Sequence, residues 1–139
     1  MPSGLEYLII HSTGTPKGFE IAMIDDDWEG VGFSDLVRIN GQIDNLTPFN
    51  ISGESSPWEN IRKARHIAYV GGASSDGYNA EDTRTNEQKE TLEVYIKYMI
   101  RRHPNLKVAG YNQFKDTSDP SFDVAKWLKS IKVDSKNIY

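Results

Sequence analysis

The feature that most constrains the fold is a short apolar run near the start of the chain, Tyr7 to Ile10, which ends at His11. The run is rich in β-branched and aromatic residues, so it suits a strand buried on both faces better than an alternating, half-exposed strand. A histidine at the end of such a strand has two interpretations. It is either a side chain hydrogen-bonded at the rim of the sheet or a ligand for a metal or a proton. The run by itself favours the first interpretation.

Further segments of the chain also predict strands. We predict them at Val31 to Ile39, Gln42 to Leu46, His66 to Val70 and Leu106 to Ala109. The first two are separated by Asn40-Gly41, a pair typical of the tight turn of a β-hairpin. The third is closed by Gly71-Gly72, a pair that commonly marks a turn.

Two segments predict helices. Thr85-Asn86-Glu87-Gln88 has the form of a capping box, and apolar residues recur after it at helical spacing until Pro104 ends the pattern. A second amphipathic helix is predicted from about Ser121, where Val124, Trp127, Leu128 and Ile131 share one face. Strands interleaved with helices predict an α/β (α+β) domain, with a single mixed central β-sheet flanked by helices.

Length and composition limit the number of domains and the classes of partner that the chain is expected to have. The 139 residues fit one domain that spans the whole chain, 1–139. The net charge of -4 comes with well-mixed charges and no basic stripe, so nucleic acid is not an expected partner. The absence of cysteine excludes disulfides and thiolate metal sites. The chain shows no signal peptide and no apolar run long enough to span a membrane, so we expect a soluble protein, cytoplasmic or associated with a phage or a cell wall.

Four stretches in this order resemble one family, the type 2 N-acetylmuramoyl-L-alanine amidases, whose fold is shared by phage amidase-lysozymes and peptidoglycan recognition proteins. The resemblance runs from about Leu5 to Leu128. Its motifs are Tyr7-Leu8-Ile9-Ile10-His11-Ser12-Thr13; Trp28-Glu29-Gly30-Val31-Gly32-Phe33; His66-Ile67-Ala68-Tyr69-Val70-Gly71-Gly72 followed by Asp82-Thr83-Arg84-Thr85-Asn86-Glu87-Gln88; and Val108-Ala109-Gly110-Tyr111-Asn112-Gln113-Phe114 with Asp119-Pro120-Ser121-Phe122-Asp123-Val124.

The resemblance implies a zinc hydrolase that cuts the amide between N-acetylmuramic acid and L-alanine in peptidoglycan. Such chemistry needs three protein ligands on zinc and an open position for water, whose pKa the metal lowers. His11 matches the family's first zinc histidine and Asp119 its third ligand. The second histidine is replaced by Tyr111, a neutral phenol that donates weakly to zinc.

The positions that assist catalysis in the family also differ in this chain. Phe33 stands where the catalytic tyrosine is expected, so a hydroxyl donor to the developing oxyanion is missing. Ser34 replaces the histidine that usually follows it. Thr117 occupies the position of a frequent lysine, although Lys115 is close by in sequence. His66 lies where relatives usually carry a glycine and is interpreted as a residue of the sheet rim or face.

These differences predict a catalytically impaired amidase-fold protein, a pseudoenzyme that binds peptidoglycan or a muropeptide in the ancestral groove. We expect Phe33, Ser34, Trp58 and Asn112 to line that groove, and His11 to hydrogen-bond to Tyr111 or Asp119 within it. No cofactor is expected, although an active enzyme would hold zinc through His11, Tyr111 and Asp119. Two alternatives stay open: an active zinc amidase, and an interaction or regulatory protein that reuses the fold for a protein partner.

Overall fold

The main structural feature of the described residues is a central five-stranded β-sheet. The computed structural model describes residues 5–16, 33–45 and 63–139. Within these residues the strands are β1 (Tyr7–Ser12), β2 (Thr15–Pro16), β3 (Asp35–Val37), β4 (Ile43–Asn45), β5 (Ala64–Tyr69), β6 (Gly72–Ala73) and β7 (Lys107–Gly110). The central sheet has the order β4-β3-β5-β1-β7, and β2 and β6 form a separate two-stranded ladder.

The central sheet is mixed, as the sequence predicts. β3, β5, β1 and β7 run parallel, whereas β4 returns antiparallel to β3. β5 is buried along its whole length, and β1 is buried at every position except the half-buried Tyr7. Two-sided burial is what parallel strands covered on both faces require, and it explains the continuous apolar sequence of β1.

The hairpin forms at Asn40-Gly41, but its strands are shorter than the pattern suggests. β3 covers Asp35–Val37 rather than Val31 to Ile39. The chain already turns at Arg38, whose N–H donates to the Gln42 carbonyl and whose carbonyl accepts from Gly41. Residues 31, 32 and 46 of the two predicted strands lie outside the described residues.

In the described part of the chain, two α-helices pack on one face of the sheet. α1 (Asn86–Arg102) begins at the predicted capping box, in which the Thr85 side chain and the Gln88 side chain each accept from the other's backbone N–H. α2 (Val124–Ser130) begins three residues later than predicted, because Asp123 caps it and Ser121 has a positive φ of 75°. Leu92, Ile96 and Leu128 pack with Leu8 and Ile10 of β1 in one apolar core.

The opposite face of β1 carries the residues of the candidate site. Successive side chains of a strand point to opposite faces, so Tyr7, Ile9 and His11 face away from α1 and α2. Ile9 packs there with Ala64 and Ala109, and with Tyr7, Tyr111 and Phe114 at its margin. The sheet therefore separates a helix-covered core from a layer of aromatic and polar side chains.

Candidate functional site

The candidate site lies at the carboxyl ends of the parallel strands. His11 is the fifth residue of β1, and Tyr111 directly follows β7. Carboxyl ends of parallel strands meet at one edge of a sheet, which is where open α/β sheets bind ligands. The fold thus brings His11 and Tyr111 together although 100 residues separate them in sequence.

His11 is fully buried and hydrogen-bonded through both ring nitrogens. Its Nδ1 lies 3.2 Å from Asp119 Oδ2, and its Nε2 lies 2.9 Å from His66 Nδ1. The predicted hydrogen bond to Asp119 is present. The contact with His66 is one that the sequence did not indicate.

The partners of His11 assign its tautomer. A carboxylate only accepts hydrogen bonds, so Nδ1 of His11 carries a proton and donates to Asp119. Nε2 of a neutral imidazole is then an acceptor, so His66 donates to it from its own Nδ1. The three side chains form a directed series in which His66 donates to His11 and His11 donates to Asp119.

Burial keeps this histidine pair neutral. Desolvation lowers the pKa of His11, and the carboxylate of Asp119 only partly opposes that effect. The pKa of His66 falls to about 2, first because of burial and then because of His11 and Arg65 nearby. Of the two positions that the sequence left open for His66, the rim or the face of the sheet, the structure shows the face, where the side chain is 1% exposed.

The histidine pair shares its face of the sheet because of strand register. Ile9 of β1 pairs with His66 of β5, and residues opposite each other in a parallel ladder point to the same face. His11 is two residues beyond Ile9, so it also points to that face. Two histidines on one face are visible only once the pairing of β1 with β5 is known.

Two aromatic rings enclose His11. The ring centroid of Tyr111 lies 4.7 Å from that of His11, and the centroid of Phe33 lies 5.1 Å from it. Both rings are tilted on the imidazole. Phe33 is itself buried, with 3% of its surface exposed, and places an apolar ring against the imidazole.

Besides the bond from His11, four hydrogen bonds fix the segment carrying Asp119 to the sheet edge. The Ser12 N–H donates to Asp119 Oδ1 at 2.6 Å, and the Ser12 hydroxyl donates to the same oxygen at 3.2 Å. The Tyr69 hydroxyl donates to the Pro120 carbonyl at 2.6 Å, and Ser121 Oγ donates to the Gly72 carbonyl at 2.8 Å. Asp119 is thereby held beside β1 rather than on a loose loop.

A cleft opens beside these residues, with a volume of about 370 Å³. Its described lining consists of short polar side chains, small residues and two aromatic rings: Ser12, Thr13, Gly14, Phe33, Gly72, Ala73, Gly77, Tyr78, Asn79, Ala80, Thr117, Ser118, Asp119 and Ser121. A volume of this size is in the range that small-molecule sites occupy in proteins.

The structure brings some of the predicted groove residues to this cleft and leaves others apart. Phe33 lines it, together with Thr117 and Asp119, which the resemblance placed at the catalytic and metal positions rather than in the groove. Ser34 and Asn112 fall outside its described lining. Ser34 is buried instead, and its hydroxyl accepts from the backbone N–H of His66 at 3.2 Å. Trp58 lies outside the described residues.

The residues present do not form the zinc site that the resemblance implies. The two partners of His11 sit on opposite ring nitrogens, so one ion cannot bind His11, His66 and Asp119 together. Within residues 5–16, 33–45 and 63–139, no three histidine, cysteine or acidic side chains are grouped so as to hold a metal ion. Zinc would need a tyrosine as its third ligand and a broken hydrogen bond at His11.

Comparisons with known proteins identify the fold. No family model and no curated protein matches the chain. Among solved structures, human PGRP-IBETAC in complex with glycosamyl muramyl pentapeptide matches with a TM-score of 0.72 and 16% identity over 100% of this chain and 88% of that one. The N-acetylmuramoyl-L-alanine amidase LysC from Clostridium intestinale URNW matches with a TM-score of 0.70 and 21% identity over 94% and 87%. Bumblebee PGRP-SA also reaches 0.70, with 19% identity over 100% and 86%.

The described helices also bear on membrane insertion: none of them is long and apolar enough to cross a membrane.

Proposed function

We propose that this protein, which has the fold of the N-acetylmuramoyl-L-alanine amidases and the peptidoglycan recognition proteins, binds peptidoglycan or a muropeptide in the cleft beside Asp119 without hydrolysing it efficiently. The observation that carries the proposal is the position of the cleft. It lies at the carboxyl edge of the parallel strands, beside the buried His11. One solved structure with this fold is a complex with glycosamyl muramyl pentapeptide, so the fold accommodates such ligands.

The chemistry of the cleft suits binding. Hydroxyl groups of Ser12, Thr13, Thr117 and Ser121 surround it. The Ser12 and Ser121 hydroxyls already donate to Asp119 and to the Gly72 carbonyl, so they offer acceptor lone pairs to a glycopeptide. The Thr117 hydroxyl accepts from the Asp119 N–H and keeps its proton to donate to a ligand. Binding does not require these groups to be placed as accurately as catalysis does, because a small misplacement slows a reaction far more than it weakens binding.

The same residues support weak catalysis or none. The nitrogen atoms of His11 are both engaged in hydrogen bonds, and Phe33 offers no hydroxyl group where the family has its tyrosine. Loss of one such oxyanion donor costs about 3 to 4 kcal/mol in other hydrolases. The chain is therefore better equipped to hold an amide bond than to cleave it.

A sedimentation assay with purified, insoluble peptidoglycan tests the proposal. We expect the parent protein to sediment with the polymer and to do so equally in the presence of a metal chelator. Ser118→Trp places a bulky side chain in the exposed lining of the cleft and should abolish retention. Glu90→Trp, on the exposed face of α1, is the matched control and should be retained like the parent. A parent protein that stays in solution would overturn the proposal and favour a protein partner instead.

A further inference from the structure

One wall of the cleft is a short loop closed by its own hydrogen bonds. Ala73 and Ala80 form an antiparallel bridge at its base. Inside it, the Ser74 N–H donates to the Asn79 carbonyl and the Gly77 N–H donates to the Ser74 carbonyl, both at 2.8 Å. Gly77 has a φ of 80°, a conformation that glycine adopts without strain.

A carboxylate reinforces this loop from within. Asp76 Oδ1 accepts from the Ser74 hydroxyl and from the Tyr78 N–H, the latter at 3.0 Å. These hydrogen bonds stabilise the ionised form, and the one from Ser74 contributes most to lowering the pKa of Asp76. The backbone at Tyr78 is thus fixed by local hydrogen bonds before any ligand arrives.

The side chain of Tyr78 is nevertheless not packed into the protein. It is 89% exposed, more than any other large apolar residue in the described part of the chain, and it borders the cleft. An aromatic ring loses little conformational entropy on binding, because only two side-chain torsions are fixed. The loop is held by its own hydrogen bonds and carries an exposed ring at the margin of the cleft. Such a ring is available to contact a ligand without rearrangement of the loop.

The charge of the cleft indicates which part of a ligand this ring contacts. Asp119 is the single charged side chain in the described lining, and its carboxylate already accepts from His11 and from Ser12. The described lining contains no arginine or lysine to pair with the carboxylates of a peptide. Hydroxyl groups beside an exposed aromatic ring suit a neutral sugar, whose hydroxyls take hydrogen bonds and whose C–H face is apolar.

We propose that Tyr78 determines specificity for the glycan part of the ligand, by stacking its ring on the apolar face of a pyranose held in the cleft. This inference rests on the proposed function and adds to it the subsite and the part of the polymer that is recognised. The stem peptide then contributes less to affinity than the glycan does.

Titration calorimetry with two soluble probes tests the inference. The probes are a peptide-free oligomer of N-acetylglucosamine and a synthetic stem peptide without sugar. We expect the parent to bind the glycan, Tyr78→Ala to bind it about tenfold more weakly, and Tyr78→Phe to bind it like the parent because the ring is kept. Tyr98→Ala, which removes a half-exposed tyrosine on α1, should leave the affinity unchanged.

The possible results separate this inference from the proposal on which it rests. Equal glycan binding by the parent and by Tyr78→Ala would overturn the role of Tyr78. Binding of the peptide probe alone would overturn glycan recognition but leave peptidoglycan binding standing. Failure of the parent to sediment with intact peptidoglycan would overturn the proposed function itself. Because Tyr78 is so exposed, Tyr78→Ala should unfold at the parent's temperature, which a thermal melt verifies.

Discussion

His11 is held on both sides of its ring by other side chains. In this chain its ring bridges His66 and Asp119 rather than presenting a nitrogen atom to an open cavity. Buried polar groups are costly unless hydrogen-bonded, and this series satisfies His11 on both sides. The opening run of the sequence favoured a hydrogen-bonded histidine, and both ring nitrogens of His11 do make hydrogen bonds.

At the scale of single residues, the buried histidines make stability depend on pH. Both have a lowered pKa in the folded protein, whereas in the unfolded chain they titrate near 6.5. Below that pH the unfolded state binds more protons, so stability is lost as the pH falls from 7 to 5 and the loss continues toward the folded pKa, about 2 for His66. Each buried, neutral histidine lowers the free energy of unfolding by about 1.4 kcal/mol for every unit that the pH falls, once that histidine is protonated in the unfolded chain.

Urea unfolding at several pH values between 7.5 and 5 measures this dependence. We expect His66→Gln to have a shallower pH dependence than the parent, because one titrating group is removed while a hydrogen-bonding side chain is kept. A free energy of unfolding that is constant over this interval would contradict the assignment of neutral, buried histidines.

Tyr111 is the residue whose replacement most directly tests whether this chain has lost a zinc site. Its ring packs on His11 with centroids 4.7 Å apart, in the sequence position where the family has a second zinc histidine. We expect the parent to bind zinc weakly and Tyr111→His to bind it at least about a hundredfold more tightly, since imidazole is a far better ligand than a neutral phenol.

Titration of metal-stripped protein with zinc measures both affinities, and Tyr111→Phe controls for the loss of the hydroxyl group alone. Tight, one-to-one zinc binding by the parent that disappears in His11→Ala would revive the active amidase. Absence of any gain in Tyr111→His would show that the hydrogen bonds of His11 are too stable for zinc to displace.

At the scale of secondary structure, a buried ion pair connects three elements. Arg65 of β5 donates to Asp35 Oδ2 of β3 at 3.0 Å, and the Tyr95 hydroxyl of α1 donates to the same oxygen at 2.7 Å. Both charged side chains are almost fully buried, with 1% and 6% of their surface exposed. Burial, followed by the charge of Asp35, raises the pKa of Tyr95, so its hydroxyl stays a donor.

We expect Asp35→Ala to destabilise the protein by about 3 to 5 kcal/mol, because it leaves the Arg65 charge buried without its carboxylate. Asp44→Ala is the matched control. It breaks the Arg38–Asp44 pair of the hairpin, which is partly exposed, and should cost about 1 kcal/mol or less. Chemical denaturation of both variants gives the comparison, and similar losses would contradict a central role for the buried pair.

Element types followed from sequence more reliably than element bounds. The capping box at Thr85 fixed the start of α1, because the signal is local and involves only residues three apart. The bounds of β3 depended on where the chain turns and on its pairing with β5, which no local pattern contains. The start of α2 moved to Val124 because Asp123, rather than an earlier residue, supplies the cap.

At the scale of the whole molecule, the fold places a cleft beside the buried series of His66, His11 and Asp119. We expect the protein to release no L-alanine-ended peptides from purified cell walls above the rate of a buffer control. Two groups that the reaction needs are replaced, by Tyr111 and Phe33.

Detection of new amino termini on cell-wall peptides measures this activity. The double variant Tyr111→His, Phe33→Tyr restores both family residues and is the informative comparison. Release by the parent that stops on chelation would overturn the assignment of impaired catalysis. Release by the double variant alone would show that these two positions account for the loss.

The sequence by itself determined the α/β architecture, the capped start of α1, the hairpin turn and the positions of His11 and Asp119 in the candidate site. These are encoded by local periodicity, by capping residues and by motifs whose order survives in the chain. The tertiary structure alone decided that His66 donates to His11, that Phe33 packs against the imidazole, and that Tyr78 stands exposed beside the cleft. The contacts of His11 with Phe33 and His66 join residues 22 and 55 positions apart in sequence. They depend on strand register and loop closure, which no local stretch of sequence specifies.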